Sequence, residues 1–340
     1  MTTGLAGPHR LAAWLIAGLL ALVPAPLDAG ANVARIDITA RPITQFRIGS
    51  TETVFGPLEF VGGLELTARG RDFGSMSAFR FLEPGSDFIG VTDTGFWFFG
   101  RIEHDDEGRP TGFADFRMSE MVDGAGRPIG EKWRTDAEGL AVRDGIATAS
   151  FERDHRVSEF LIEPDGMKAA LRDLDFLVPK RELRQNRGFE TVAYANPGGA
   201  LDGARVVVAE KSLDRNGNIF AAIIEGPAKG IFTVKRNGEF DITDGAFLPD
   251  GDLLLLERSF SMARGVAMRL RRIEAATIGK GRLADGPVLL EANMGYQIDN
   301  MEGLDVWRRG DGALIVSIVS DDNHSILQRN LYLEFRLLDE

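Results

Sequence analysis

A repeat with a period of 52 to 61 residues is the feature that most constrains this 340-residue chain. In each repeat a Ser, Asp or Glu opens a tripeptide that ends in an apolar residue, and these openers are Ser77, Glu138, Glu190, Asp244 and Glu302. An acid at the end of a hydrophobic strand follows 13 to 20 residues later, at Asp93, Glu152, Glu210, Glu257 and Asp321. The period is typical of one four-stranded blade of a β-propeller.

A rotary repeat would bring these acids together around one axis. Like charges held close together repel, so such a group needs bound cations or protons. Calcium prefers six to eight oxygen ligands, which carboxylates from several blades could supply. The sequence therefore predicts a calcium site with the ligands Asp93, Glu138, Glu152, Glu190, Glu210, Glu257, Glu302 and Asp321. The alternative for each single acid is a turn residue or a solvated ion pair that contributes little.

The rest of the sequence indicates an all-β protein. Short segments rich in Val, Ile, Leu and Phe are bounded by Gly, Pro, Asn and Asp, as strands are; they cover 35–48, 86–93, 145–151, 205–210, 219–224, 230–235, 252–257, 266–273, 313–319 and 331–338. Forty glycines and fourteen prolines suit the many tight turns between them.

The number of blades is less constrained than the repeat itself. Five openers are present, but segments 35–61 and 326–338 at the two ends are also strand-like. Combining both ends of the chain in one blade would remove exposed sheet edges. We predict a six-bladed propeller closed in this way, with five blades as the alternative.

Residues 1–31 have the pattern of a secretory signal peptide. His9 and Arg10 precede an apolar run from Leu11 to Val23, and small residues suitable for cleavage follow at Ala29 and Ala31. This run is too short to span a bilayer comfortably. We therefore expect export to the periplasm or the medium, with residues 32–340 forming one domain.

Composition narrows the possible partners. The absence of cysteine excludes disulfides and thiolate metal sites. A net charge of −12 argues against nucleic acid or an anionic membrane as a partner. We expect a monomer that acts on a small-molecule ester.

Five residues that follow the strand-end acids are candidate catalytic groups. Arg153, Lys211 and Arg258 each come directly after an acid, where a cation could hold a substrate oxyanion. His155 and His324 each follow an acid by three residues and are candidate general acids or bases, with a loop histidine bonded to its neighbours as the alternative.

Seven short motifs, in order, resemble the phytase-like family of exported bacterial proteins described as "esterase-like activity of phytase". They are Gly62-Gly63-Leu64-Glu65-Leu66, the run Phe73 to Phe79, Thr92-Asp93-Thr94-Gly95, Asp136-Ala137-Glu138-Gly139-Leu140, Asn186-Arg187-Gly188-Phe189-Glu190, the run Asp244 to Gly251 with Leu256-Glu257-Arg258, and Asn300-Met301-Glu302-Gly303-Leu304. Relatives tend to carry Ser-Asp-Arg-Gly where this chain has Thr92-Asp93-Thr94-Gly95. The resemblance covers about residues 58 to 338 and implies a six-bladed propeller with phosphoester or carboxylester hydrolase activity.

Taken together, these observations predict an exported, calcium-dependent ester hydrolase, with phosphoesters favoured over carboxylesters. Two alternatives stay open at this point. One is a non-catalytic propeller that binds a ligand or a protein of the cell envelope, and the other is a lactonase of the gluconolactonase type.

Overall fold

Nearly all of the regular structure is antiparallel strand. The computed structural model describes residues 1–4, 33–70 and 72–338, so the predicted signal segment lies mostly outside the described residues. Strands of the first half are β1 (Val33–Arg35), β2 (Ile38–Ile43), β3 (Val54–Phe55), β4 (Leu58–Ala68), β5 (Met76–Phe81), β6 (Asp87–Thr92), β7 (Phe96–His104), β8 (Pro110–Glu120), β9 (Ala137–Arg143), β10 (Ile146–Phe151), β11 (Arg156–Leu161) and β12 (Arg172–Leu174).

The second half continues the same pattern. Its strands are β13 (Phe189–Tyr194), β14 (Arg205–Leu213), β15 (Ile219–Ile223), β16 (Gly230–Val234), β17 (Asp241–Phe247), β18 (Leu253–Ser261), β19 (Gly265–Ile273), β20 (Leu283–Ala284), β21 (Val288–Asn293), β22 (Asn300–Arg308), β23 (Leu314–Asp321) and β24 (Asn330–Leu337). Within residues 33–70 and 72–338, helical structure is limited to the one-turn helix α1 (Lys132–Thr135) and two 3₁₀ turns, Lys180–Glu182 and Ala275–Thr277. Among the described residues, no helix is long and apolar enough to cross a membrane.

The strands form five sheets, which are the blades of a propeller. Blade one is β5-β6-β7-β8 with β1 at its outer edge, and blade two is β9-β10-β11-β12. Blade three is β13-β14-β15-β16, to which β20 adds a parallel strand, and blade four is β17-β18-β19-β21. Blade five is β22-β23-β24-β4-β2, with β3 paired to β4. The innermost strands β5, β9, β13, β17 and β22 contact one another in a closed ring.

The prediction of an all-β propeller closed by both chain ends is confirmed. The propeller has five blades, which is the alternative to the six that we predicted. Blade five receives β22, β23 and β24 from the last repeat, which is one strand short of a four-stranded blade. The N-terminal strands β2 and β4 complete this blade instead of building a sixth, and β4 pairs directly with β24.

Most blades are covered on both faces by their neighbours, which explains the hydrophobic runs in the sequence. Val206, Val207 and Val208 in β14 are all fully buried, as are Leu253 to Leu256 in β18. A strand buried on both faces reads as continuous apolar sequence instead of alternating. Polar residues interrupt this pattern near the axis, where Glu190 and Glu210 are buried.

Candidate metal centre

Each innermost strand carries an irregularity in its pairing near the point where it begins. Ser77 in β5, Glu190 in β13 and Glu302 in β22 each have no cross-strand partner. Glu138 lies in the corresponding irregular stretch of β9. A β-bulge bends the strand and turns a side chain in a new direction. We call the face at which the innermost strands begin the upper face.

The second strand of each blade runs in the opposite direction and reaches the same upper face. Asp93, Glu152 and Glu210 directly follow the last residue paired with an innermost strand, and Asp321 is the last paired residue of β23. Each therefore lies beside the bulge of its own blade. The spacing of the repeat has placed two polar positions per blade next to the axis.

A small cavity of about 160 Å³ lies where these positions meet. It is lined by Ser77, Asp93, Glu138, Glu152, Asn186, Glu190, Glu210, Arg258, Glu302, Asp321 and Asn323. We call it the acidic cavity. Seven of the eight acids predicted as ligands line it, and they come from blades one, two, three and five.

Blade four departs from the prediction, because Glu257 does not line the acidic cavity. Arg258 pairs with Asp241 in the way that Asp321 pairs with Asn300, so Arg258 holds the position of the strand-end acid. Since successive residues of a strand face opposite sides, Glu257 points away from the axis. There its carboxylate accepts hydrogen bonds from Arg269 and from Arg271 Nε, the latter at 2.8 Å.

The opener of blade four is also shifted by one position along the sequence. Thr243 is the residue without a cross-strand partner in β17, whereas Asp244 pairs with Leu256. Asp244 therefore lies deeper along the axis, where it contacts Arg80. Blade four thus contributes a guanidinium where the other four blades contribute a carboxylate.

Three carboxylates of the cavity have a cationic partner, namely Asp93, Glu210 and Glu302. Lys132 Nζ lies 2.6 Å from Asp93. Arg187 Nη1 lies 2.9 Å from Glu210.

Arg258 Nη2 lies 3.3 Å from Glu302. The other four carboxylates form no ion pair with any described Lys, Arg or His: Glu138, Glu152, Glu190 and Asp321. The cavity therefore holds more negative charge than the surrounding protein offsets.

The electrostatics of the cavity follow from burial and this excess. Burial raises the pKa of Glu138 and that of Glu190 well above the usual range, and repulsion from neighbouring acids adds a smaller effect in the same direction. Burial raises the pKa of Glu152 to about 7, and that of Glu302 also to about 7 although Arg258 opposes it. Burial likewise raises the pKa of Asp321. Without a bound cation, several of these groups hold protons near neutral pH.

Two groups of three carboxylates are close enough to hold a metal ion. Oxygen atoms of Glu152, Glu190 and Glu210 all lie within 4.8 Å of one another, and the same is true of Asp136, Glu138 and Glu152. The donors are all oxygens, which suits calcium or another hard divalent cation. One oxygen of Asp93 is also buried without a hydrogen-bond partner. The residues present therefore fit such an ion.

Asp136 was not among the predicted ligands. It lies two residues before Glu138, and alternate residues of an extended chain project to the same side. That spacing is the signal in the sequence that could have identified it. Its carboxylate is also 2.6 Å from Arg153 Nε.

Of the predicted catalytic groups, Arg258 alone lines the acidic cavity. Arg153 contacts Asp136 at the edge of the site. Lys211 Nζ lies 2.7 Å from Asp241, with no contact to the acids of the cavity.

The two candidate histidines lie outside the cavity. His155 is buried behind Glu152, where a Cβ added at Gly188 would lie 3.0 Å from its Nδ1, and burial lowers its pKa. His324 lies on the turn after Asp321, with a φ of 49°, and lines a different groove.

Comparison with solved structures finds other proteins of similar overall shape at low identity. The endo-arabinase of Bacteroides thetaiotaomicron VPI-5482 is 11% identical, with a TM-score of 0.48 over 79% of this chain and 96% of that one. An exo-1,5-alpha-L-arabinanase from a bovine ruminal metagenomic library is 12% identical, with a TM-score of 0.39 over 76% and 96%. Sqt1 of Saccharomyces cerevisiae is 9% identical, with a TM-score of 0.37 over 83% and 80%. Likenesses this distant carry no argument about activity.

Among curated proteins no sequence matches this chain. A family model does match, over residues 71–324, and its description is "Phytase-like: Esterase-like activity of phytase". That match spans most of the chain, including every acid of the cavity and Arg258. The chain belongs to the phytase-like family.

Proposed function

We propose that this protein is a calcium-dependent hydrolase of phosphoesters, exported from the cytoplasm, with the acidic cavity as its reactive centre. The observation that carries the proposal is the set of four cavity carboxylates without a cationic partner. Glu152 and Asp321 accept hydrogen bonds from the backbone amides of Gly188 and Asn323, but these neutral donors do not cancel the charge of the carboxylates. Their excess negative charge therefore supports a site built for a cation.

The residues that would hold calcium are the carboxylates of the two groups already described. Glu152 belongs to both groups, so neighbouring ions could share it. Its Oε1 accepts a hydrogen bond of 2.6 Å from the Gly188 amide, which fixes the direction of the carboxylate. A bound calcium ion supplies positive charge that offsets the ester oxygens and makes a neighbouring water more acidic.

Arg258 is the residue of this chain that we assign to the developing negative charge. Its side chain lines the cavity, and its pKa is raised chiefly by Glu302, so it stays protonated. Its Nε is buried without a hydrogen-bond partner, which leaves a donor available beside the acids. A fixed donor of this kind stabilises charge that forms during the reaction.

A proton acceptor is available in the same cavity. Glu152 and Glu302 have pKa values of about 7 in the absence of an ion, so either can take a proton from an attacking water near neutral pH. Bound calcium would keep the ligands ionised. We assign the base to Glu302, because it does not belong to either of the two compact ligand groups.

Cationic groups around the cavity favour phosphoesters over carboxylesters. A guanidinium matches the spacing of two phosphate oxygens, and a phosphoester carries negative charge before the reaction as well as during it. Arg258 lies in the cavity, while Lys132 and Arg187 contact its acids and are about two-fifths to one-half exposed. Lys132 brings a cation to Asp93, beside the position where relatives tend to carry Arg and this chain has Thr94.

The direct test is hydrolysis of p-nitrophenyl phosphate and p-nitrophenyl acetate by the purified protein with calcium and with a chelator. We expect phosphate ester turnover that is lost with chelator and restored by calcium. Tight calcium binding without turnover of any ester would indicate a binding protein instead. Opening of a lactone without phosphatase activity would indicate a lactonase.

Calcium titration calorimetry tests the ligand assignment separately. Glu190→Gln removes a carboxylate that has no cationic partner, and we expect calcium affinity to fall about tenfold or more. Glu291→Gln is the control, because Glu291 is exposed on β21 of blade four. Equal affinities for the two variants would contradict the assignment.

A further inference from the structure

A second, larger groove adjoins the acidic cavity on the upper face. It measures about 720 Å³, compared with about 160 Å³ for the acidic cavity. Pockets for small organic ligands typically have several hundred cubic ångströms. The acidic cavity has room for ions, water and one small group, so the remainder of any sizeable substrate must lie elsewhere.

The two spaces share one wall, which is the turn after β23. Asp321 and Asn323 line the acidic cavity, whereas Asp322 and His324 line the groove. The turn is held in place by Asp322, whose Oδ1 accepts hydrogen bonds of 3.1 Å from the amides of Ser75 and His324. The turn therefore lies between the two spaces, which are neighbours on the upper face.

The groove has a mixed lining and an exposed apolar rim. Leu66, Ala68 and Phe73 contribute apolar surface from the side of blades one and five, beside polar residues that include Glu65, Gln328 and Arg329. Ile326 lines it from the turn and is fully exposed, and the next residue, Leu327, is 86% exposed. Neighbouring large aliphatic side chains left in water beside a concave surface are typical of a binding site for an apolar group.

We infer that this groove binds an apolar part of the substrate, so that the preferred esters are amphiphilic, with an anionic ester head and an aliphatic chain. The inference rests on the proposed function for the head group, which would lie in the acidic cavity. The chain would cross the turn at Asn323 and His324 and cover Ile326. Burying methylene groups against Ile326 and the apolar part of the lining would then add affinity in proportion to chain length.

The test compares binding of ethyl phosphate and octyl phosphate by calorimetry in the presence of calcium, below the concentration at which octyl phosphate forms micelles. We expect octyl phosphate to bind at least about tenfold more tightly. In the double variant Ile326→Ser and Leu327→Ser this preference should fall by more than half, with ethyl phosphate affinity unchanged. Both side chains are exposed, so the variant should fold.

Leu171→Ser is the matched control, because Leu171 is 58% exposed and precedes β12 in blade two, away from the groove. It should keep the full preference for octyl phosphate. Equal binding of both phosphates by the wild-type protein, or loss of the preference in the control, would overturn the inference.

Hydrolysis of the same two compounds separates this inference from the proposed function. A preference for octyl phosphate without turnover would support the groove and contradict the hydrolase. Turnover with no preference would support the hydrolase and contradict the groove, and absence of both would contradict both.

Discussion

Arg80 and Asp244 form a two-pronged ion pair across the propeller axis. Arg80 Nη1 donates to Asp244 Oδ2 and Arg80 Nη2 to Asp244 Oδ1, both at 2.7 Å, and both side chains are buried. The same guanidinium donates to the carbonyl oxygen of Leu304 at 2.7 Å. Blades one, four and five therefore meet at one side chain, three residues along β5 from Ser77 of the acidic cavity.

We expect Asp244→Asn to lower the free energy of unfolding by about 3 to 5 kcal/mol, because it leaves a buried guanidinium without its counter-charge. Urea denaturation measures this change. The control is Asp87→Asn, which breaks a 3.0 Å contact with Arg101 where both side chains are nearly half exposed. Exposed pairs contribute less than about 1 kcal/mol, so similar losses in the two variants would contradict a special role at the axis.

A second prediction concerns Glu257, which the structure removes from the acidic cavity. Glu257 contacts Arg269 and Arg271, and all three side chains are buried. We expect Glu257→Gln to destabilise the protein by about 3 to 5 kcal/mol, because the buried Arg269 loses its carboxylate partner and the buried Arg271 keeps only Asp285. Calcium affinity of the folded variant should be unchanged, as measured by calorimetry at a temperature well below unfolding. A tenfold loss of calcium affinity would contradict this prediction and identify Glu257 as a calcium ligand.

Blade four shows what the sequence could reveal about the site and what it could not. In blades two, three and five, the pattern of an opening Glu and a strand-end acid identified pairs that do lie together, as Glu190 and Glu210 do. In blade four, Asp244-Gly245 and Glu257 match the same pattern one residue away from the true register. Only the position of the bulge at Thr243 distinguishes the two alignments, and a bulge has no reliable signature in sequence.

The blade count was open for a similar reason. Strand-like segments at both ends were recognisable, and their union in one blade follows from the need to cover sheet edges. Whether they complete the fifth blade or add a sixth depends on whether the N-terminal strands join the sheet of β22, β23 and β24 or form a sheet of their own. The pairing of β4 with β24 decides this, and such a contact between distant segments is not encoded locally.

A third prediction concerns the stability of the calcium-free protein as a function of pH. Glu152 and Glu302 keep a proton up to about pH 7 when folded, whereas the ordinary value for an unfolded Glu is 4.5. Between these values the folded state binds more protons than the unfolded state, so the unfolding free energy falls as pH rises. The stability that the two protonated carboxyl groups contribute is fully present below about pH 4.5 and is lost above about pH 7. We expect a decrease of a few kcal/mol in total.

Urea denaturation at pH 5, 6, 7 and 8 with a chelator measures this decrease, and the same series with calcium provides the comparison. Calcium binds the ionised carboxylates and should therefore stabilise the protein most at pH 8. A calcium-free protein whose stability rises from pH 5 to pH 8 would mean that the carboxylates of the cavity are already neutralised by the protein.

The last prediction separates the catalytic role of Arg258 from the holding of calcium. Arg258→Gln removes the cation that lies 3.3 Å from Glu302 and 3.9 Å from Glu210, which makes the cavity more negative. Calcium affinity should therefore stay the same or rise. Turnover of p-nitrophenyl phosphate should fall about a hundredfold, because the donor for the developing charge is lost. The control is Arg264→Gln, on the same hairpin of β18 and β19, where the side chain is 78% exposed. If calcium affinity and turnover fell together in Arg258→Gln, Arg258 would instead hold the carboxylates in place.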